Sequence, residues 1–139
     1  MGAATYECVP RDSQLLEHPG RWREAHSDRP AWVFTHRELP KVPGADITFV
    51  NGDIRQVHRA MVRTAHGKNI WIAGGGALAT AFAETGLLDQ VFLGVVPVML
   101  AGGKPLFTGR LSSGQLRLSN VEQVGQVAYL TYDVLPADA

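Results

Sequence analysis

Through the first two thirds of the chain, short apolar runs alternate with segments that have the composition or apolar spacing of helices. Short apolar runs bounded by glycine, proline and polar residues have the length and composition of buried strands. These strands are expected at 31–35, 46–50, 69–73 and 89–100. Between them, residues 54–66 and 77–86 predict helices, the first with apolar positions at helical spacing and arginines on the opposite face. This alternation of strands and helices favours a mostly parallel sheet with right-handed crossovers.

Both ends of the chain depart from this alternation. A short helix is expected after Gly2, followed by a polar, loop-like run at 16–30. Near the C-terminus, residues 115–124 and 126–135 alternate with period two about Gly125, which predicts an antiparallel strand pair. The predicted fold class is α/β, in three layers. A mostly parallel central sheet is flanked by helices, an antiparallel strand pair closes the C-terminus, and residues 1–139 form one domain.

Composition narrows the function classes. The 139 residues carry 13 basic and 13 acidic side chains, a balance that gives no support to a nucleic-acid or anionic membrane surface. Cys8 has no second cysteine to pair with, and no apolar run reaches the ~20 residues of a membrane span. We therefore expect a cytoplasmic protein that acts on a small molecule. The scattered histidines show no metal-ligand spacing, so no metal site is predicted.

Three glycines, Gly74 to Gly76, separate the predicted strand at 69–73 from the predicted helix at 77–86. The first turn of a helix has backbone N–H groups without internal partners, and glycines let a phosphate approach them. The spacing matches neither the dinucleotide fingerprint nor a Walker loop. From the tripeptide alone, close packing of the helix on the sheet explains the glycines equally well.

Motifs after this corner carry a more specific signal. Gly-Leu-x-Asp stands at 86–89, Pro-Val-x-Leu at 97–100 and Gly-Gly-x-Pro-Leu-Phe at 102–107. Together with the glycine corner, they resemble the C-terminal reductase domain of the bifunctional riboflavin-biosynthesis deaminase-reductases, a branch of the dihydrofolate reductase superfamily. Residues 31–39 (AWVFTHREL) and 2–7 (GAATYE) resemble two further stretches of that family.

The resemblance implies NADPH as the cofactor. It implies pyrophosphate contacts from the glycine corner and the first turn of the next helix on one side, and from the GAATYE stretch on the other. It also implies that the loop after AWVFT lies by the adenosine 2′-phosphate. The cofactor residues implied are Gly2, Thr5, Thr35, His36, Arg37, Gly74, Gly75, Gly76, Ala77 and Leu78. The family usually has an arginine where Ala3 stands, so Arg37 is expected to hold the 2′-phosphate alone. The roles of Tyr6 and Glu7 stay open between facing the site and packing the helix start.

The family's domain begins with a strand, a loop and a helix ahead of the GAATYE stretch, and this sequence starts at that stretch. A late start, a natural truncation or completion by a partner would each explain the difference. Loss of a sheet strand exposes backbone and apolar surface. We therefore expect a homodimer formed through the N-terminal side.

The resemblance implies an NADPH-dependent reductase similar to the pyrimidine reductase of the riboflavin pathway, with hydride transfer to a heterocyclic or sugar-derived substrate. The sequence identifies neither the substrate nor a proton donor. The alternative is a non-catalytic nucleotide-binding or structural oligomer that keeps only the cofactor corner.

Overall fold

The structure, a computed structural model, describes residues 1–13 and 15–136. It confirms the α/β class. Its elements are α1 (Ala3–Ser13), α2 (Gly20–His26), β1 (Ala31–Phe34), β2 (Ile47–Val50), α3 (Ile54–Ala65), α4 (Gly76–Glu84), β3 (Gln90–Val95), β4 (Leu116–Val124) and β5 (Val127–Val134). The chain divides into two compact units, residues 1–78 and 79–139, with the boundary inside α4. The assignment of residues 1–139 to one domain stays a prediction.

A parallel strand pair forms the centre of the first unit. β1 and β2 pair in register from Ala31 opposite Ile47 to Phe34 opposite Val50. Gly2 forms a further parallel bridge with Phe34, and the Met1 amino group donates to the Trp32 carbonyl at 2.7 Å. The start of the chain therefore lies along the free edge of β1 and leads directly into α1.

One apolar cluster fills the first unit. Its buried members come from α1, α2, the two strands and the segments that connect them: Tyr6, Leu15, Trp22, Val33, Val42 and Ile47. The Tyr6 ring packs edge-on against Phe49 at 5.4 Å and against Trp22 at 6.3 Å. Burial raises the pKa of Tyr6, and its hydroxyl donates to the Pro40 carbonyl at 2.7 Å. Tyr6 is thus part of the core.

The helix predicted over 54–66 is confirmed as α3. The Asp53 carboxylate accepts from the Arg55 amide at 2.8 Å, so Asp53 is the N-cap. Gly67, with φ of +81°, follows the left-handed residue His66 where the helix ends. Arg55, Arg59 and Arg63 are exposed and Met61 is buried, as the amphipathic pattern predicts.

The second unit is a three-stranded antiparallel sheet in the order β3, β5, β4. The predicted C-terminal pair is confirmed: β4 and β5 are joined by Gly125 and Gln126, with φ of +59° at Gly125. Inside this unit the Thr80 hydroxyl, on α4, accepts from the amides of Thr108 and Gly109 at 3.1 and 2.9 Å. These hydrogen bonds connect the irregular segment at 108–109 to α4.

Three details differ from the sequence-based expectations. The polar run at 16–30 contains α2, because Trp22 inserts into the core and orders a turn of helix around it. Residues 69–73 form no strand. Residues 70–73 are apolar, but a strand also needs a neighbouring backbone. Among the described residues no backbone pairs with 69–73, and Trp71 is 82% exposed. The run at 89–100 contains β3, which pairs antiparallel with β5, so the one parallel pair described is β1 with β2.

Within residues 1–13 and 15–136, no helix combines the length and the apolar character needed to cross a membrane.

Candidate cofactor site

The glycine corner has a backbone that other residues adopt only with strain. Gly74 and Gly75 have φ of +64° and +82°, and α4 begins at Gly76. A side chain at either position costs ~1–2 kcal/mol in this left-handed conformation. Ala77 and Leu78 follow in the first turn of α4, where amide groups lack partners within the helix. Gly74 and Gly75 are exposed, so their backbone is reachable from solvent.

Thr5, near the start of α1, lies against this corner. A methyl group on Gly74 would lie 3.1 Å from both Oγ1 and Cγ2 of Thr5, and one on Gly75 would lie 3.8 Å from Oγ1. The structure therefore brings together the two segments that the family resemblance assigned to opposite sides of a pyrophosphate. The glycines permit this approach, and they leave the threonine hydroxyl beside the exposed backbone.

Gly2 lies at the entrance to α1. Its carbonyl accepts from the Tyr6 amide at 3.0 Å, and the space where a side chain would project is empty to 4 Å. Gly2 also bridges to Phe34, the residue before Thr35. The start of α1 is thus joined to the loop that follows β1.

The loop at 35–37 is fixed by a short side-chain turn. The Thr35 hydroxyl accepts from the Arg37 amide and donates to the Arg37 carbonyl, both at 3.0 Å. These bonds hold the backbone of Arg37 whatever its side chain does. His36, between them, is exposed.

The Arg37 side chain is paired. Its Nη2 donates to Oε2 of Glu7, on α1, at 2.8 Å. The Arg37 side chain is 62% exposed and the Glu7 side chain 42% exposed, so solvent and ligands can reach both. The sequence left Glu7 open between two roles, and the structure places it on the residue expected to bind the 2′-phosphate.

The glycine corner and Arg37 contact different residues of α1. Thr5 and Glu7 are two positions apart, which is about 200° around a helix axis. Thr5 therefore points to the glycine corner and Glu7 to Arg37, on different sides of α1.

These residues fit a dinucleotide phosphate in two respects. The corner offers exposed left-handed glycines at a helix start, and a hydroxyl lies beside them. The fit at the 2′-phosphate is weaker, because the guanidinium expected there already has a carboxylate partner. Among the described residues, no three histidine, cysteine, aspartate or glutamate side chains gather where they could hold a metal ion.

Comparison with known proteins identifies the family. A model of the RibD C-terminal domain matches residues 10–130. The chain belongs to the RibD C-terminal domain family. The match spans the loop after β1, the glycine corner and the motifs at 86–107, so the family resemblance is confirmed for these segments, and residues 2–7 lie outside it.

Relatives in bacteria share most of this chain. Uncharacterized protein YwjB of Bacillus subtilis is 34% identical over 132 residues, which cover 95% of this chain and 70% of YwjB. A crystal structure from Shewanella sp. PV-4, of a protein named for riboflavin biosynthesis, has a TM-score of 0.73 at 24% identity. It covers 98% of this chain and 72% of that one. A pyrimidine reductase-like protein of Corynebacterium diphtheriae has a TM-score of 0.56 at 15% identity and covers 76% and 50%. These structures show the fold.

Proposed function

We propose that this protein is an NADPH-dependent reductase similar to the pyrimidine reductase of riboflavin biosynthesis. Its substrate would resemble 5-amino-6-(5-phosphoribosylamino)uracil, with reduction at a C=N or C=O group of a heterocyclic or sugar-derived compound. The family is that of the RibD reductase domain, which supports an oxidoreductase activity.

One observation supports the cofactor assignment above the others: Thr5 lies against two exposed glycines that have left-handed backbone and directly precede α4. Gly74, Gly75, Gly76 and the first-turn residues Ala77 and Leu78 would bind the pyrophosphate through amide groups. Gly2 and Thr5 would approach it from α1. The Thr35, His36 and Arg37 loop would lie by the adenosine end.

NADPH, when bound, supplies the hydride. The residues of this chain bind and orient, and the glycine corner does both, because fixed amides hold a phosphate without reorganising. The described residues identify no proton donor for the substrate.

Substrate-dependent loss of reduced nicotinamide absorbance tests the proposal. We expect the wild type to oxidise NADPH when 5-amino-6-(5-phosphoribosylamino)uracil is added, and Gly75→Val to lose this activity. Gly44→Val is the matched control, because Gly44 has φ of +74° with empty space around it and lies outside the site. Cofactor binding without turnover would favour the non-catalytic alternative, whereas no binding at all would refute the cofactor assignment.

A homodimer is the partner state we propose. Association is supported by the large apolar side chains that are exposed among residues 79–136, whereas Met1 and Gly2 already pair with part of the β1 edge. Sedimentation at micromolar concentration should give a two-chain species, and a single-chain species with a cooperative melt would contradict it.

A further inference from the structure

We propose that Glu7 sets the cofactor preference of this chain by competing with the 2′-phosphate of NADPH for Arg37. The inference rests on the proposed function and adds a residue that determines specificity. NADPH would bind its phosphate to Arg37 only when the Glu7 contact is released. NADH would bind without breaking that contact.

The contact between Glu7 and Arg37 occupies a donor that a 2′-phosphate would also need. One guanidinium nitrogen of Arg37 lies 2.8 Å from Oε2 of Glu7, and both side chains are accessible to a ligand. A carboxylate and a phosphate accept the same N–H donors, and both are negative. A 2′-phosphate that approached Arg37 would therefore meet an occupied donor and a like charge beside it.

NADH presents a different group at this position. Its ribose 2′-hydroxyl is neutral and can donate a hydrogen bond, and an ionised carboxylate accepts one. Glu7 is thus unfavourable for NADPH and neutral or favourable for NADH. The chain also has Ala3 where the resemblance implies a second arginine, so no basic residue at that position offsets Glu7.

The contact between Glu7 and Arg37 can be removed without disturbing the fold, because other hydrogen bonds fix the backbone of the loop. The Thr35 hydroxyl holds the loop through two hydrogen bonds to Arg37 main-chain atoms, independently of Glu7. Replacing the Glu7 carboxylate should therefore free the Arg37 side chain and leave the loop in place. An exposed ion pair contributes little to stability, so the variant should fold normally.

Calorimetric titration of NADPH and NADH into wild type and Glu7→Gln tests the inference. We expect Glu7→Gln to bind NADPH roughly three- to tenfold more tightly at low salt and NADH within about twofold of wild type. The NADPH gain should shrink at high salt, because exposed charges are screened. Glu24→Gln, an exposed charge change of the same size on α2, should alter neither affinity.

The same substitution in the Arg37→Ala background separates competition from simple repulsion. If Glu7 acts by holding Arg37, the gain in NADPH affinity should fall to within about twofold once Arg37 is absent. An equal gain in both backgrounds would overturn the competition. So would an equal change for both cofactors, or no change, in a wild type that binds them. A wild type that binds neither cofactor would instead refute the proposed function, and this inference with it.

Discussion

The two units of the chain are stabilised by different interactions. Residues 1–78 enclose an apolar cluster that includes two aromatic side chains, Tyr6 and Trp22, each at most 2% exposed. In the second unit, the buried residues among those described are Thr80 and Phe82. Its sheet and loops leave many large apolar side chains exposed, including Phe92, Val95, Val96, Val98, Met99, Leu100, Leu106, Leu118, Val121 and Val124.

This difference separates the roles of the units. Every candidate cofactor residue lies in the first unit. Of these residues, Gly2, Thr5 and the loop at 35–37 adjoin α1 and β1, which contribute side chains to the apolar cluster. The second unit depends more on backbone ladders and on hydrogen bonds such as those at Thr80. Apolar surface of that extent is uncommon on an isolated soluble chain and is typical of association.

Substitutions of two tryptophans should give the largest difference in the free energy of unfolding. Trp22 is 2% exposed within the cluster, whereas Trp71 is 82% exposed. Trp22→Ala should lower the free energy of unfolding by ~3–5 kcal/mol. Trp71→Ala should change it by less than ~0.5 kcal/mol. Denaturant titration followed by circular dichroism measures both. Equal losses would mean that the first unit is not held by this cluster.

A hydroxyl substitution probes the second unit. Thr80→Val keeps the shape of the side chain but removes the acceptor of the Thr108 and Gly109 amides. Leaving partly buried amides unpaired should cost ~1–3 kcal/mol. Thr131→Val, on β5, is the control and should cost less than ~0.5 kcal/mol. If thermal melts of the two variants coincide, hydrogen bonding at Thr80 does not stabilise this unit.

The close packing of Gly109 against Thr80 gives a second test of how firmly this loop is held on α4. A methyl group at Gly109 would clash with the Thr80 Cγ2 atom, so Gly109→Ala must displace the helix or the loop. We expect a loss of ~1–3 kcal/mol from this overpacking. Gly103→Ala, where space is open, should be nearly neutral. Melting temperatures that fail to separate the two would indicate a loosely held loop.

The smallest expected effect is a pH dependence of the sheet. Hydrogen bonds from Gln90 and Arg117 lower the pKa of Asp133 below its ordinary value of 3.8. The stabilisation is therefore complete above that value and is lost as the pH falls through the lower pKa of the folded state. Melts of wild type and Asp133→Asn should converge as the pH drops below 3.8. A constant difference down to pH ~2 would contradict this assignment.

Local sequence signals predicted part of this architecture. The spacing of apolar residues over 54–66 predicted α3, and Gly125 with its alternating flanks predicted the hairpin. The strand expected at 69–73 was wrong, because apolar character does not reveal whether a second backbone will pair with it. The helix α2 was missed because Trp22 stabilises it through tertiary packing while its neighbours are polar.

In the candidate site, too, local patterns predicted single segments but not the contacts between distant ones. The three glycines and the flanking motifs were enough to predict a candidate cofactor site at Gly74–Gly76, and in the structure Thr5 lies against it. The Glu7 to Arg37 contact joins positions 30 residues apart, and no local pattern encodes such a pair. Its signal in the sequence was only an acidic residue two positions after Thr5.

Titration of NADPH into wild type and Gly75→Val tests the central claim that the glycine corner binds the cofactor. A branched side chain at Gly75 would occupy the space assigned to the pyrophosphate beside Thr5. We expect saturable heat for the wild type and for Gly44→Val, and none for Gly75→Val, with Gly75→Val retaining a cooperative melt. Equal binding by Gly75→Val and wild type would contradict it.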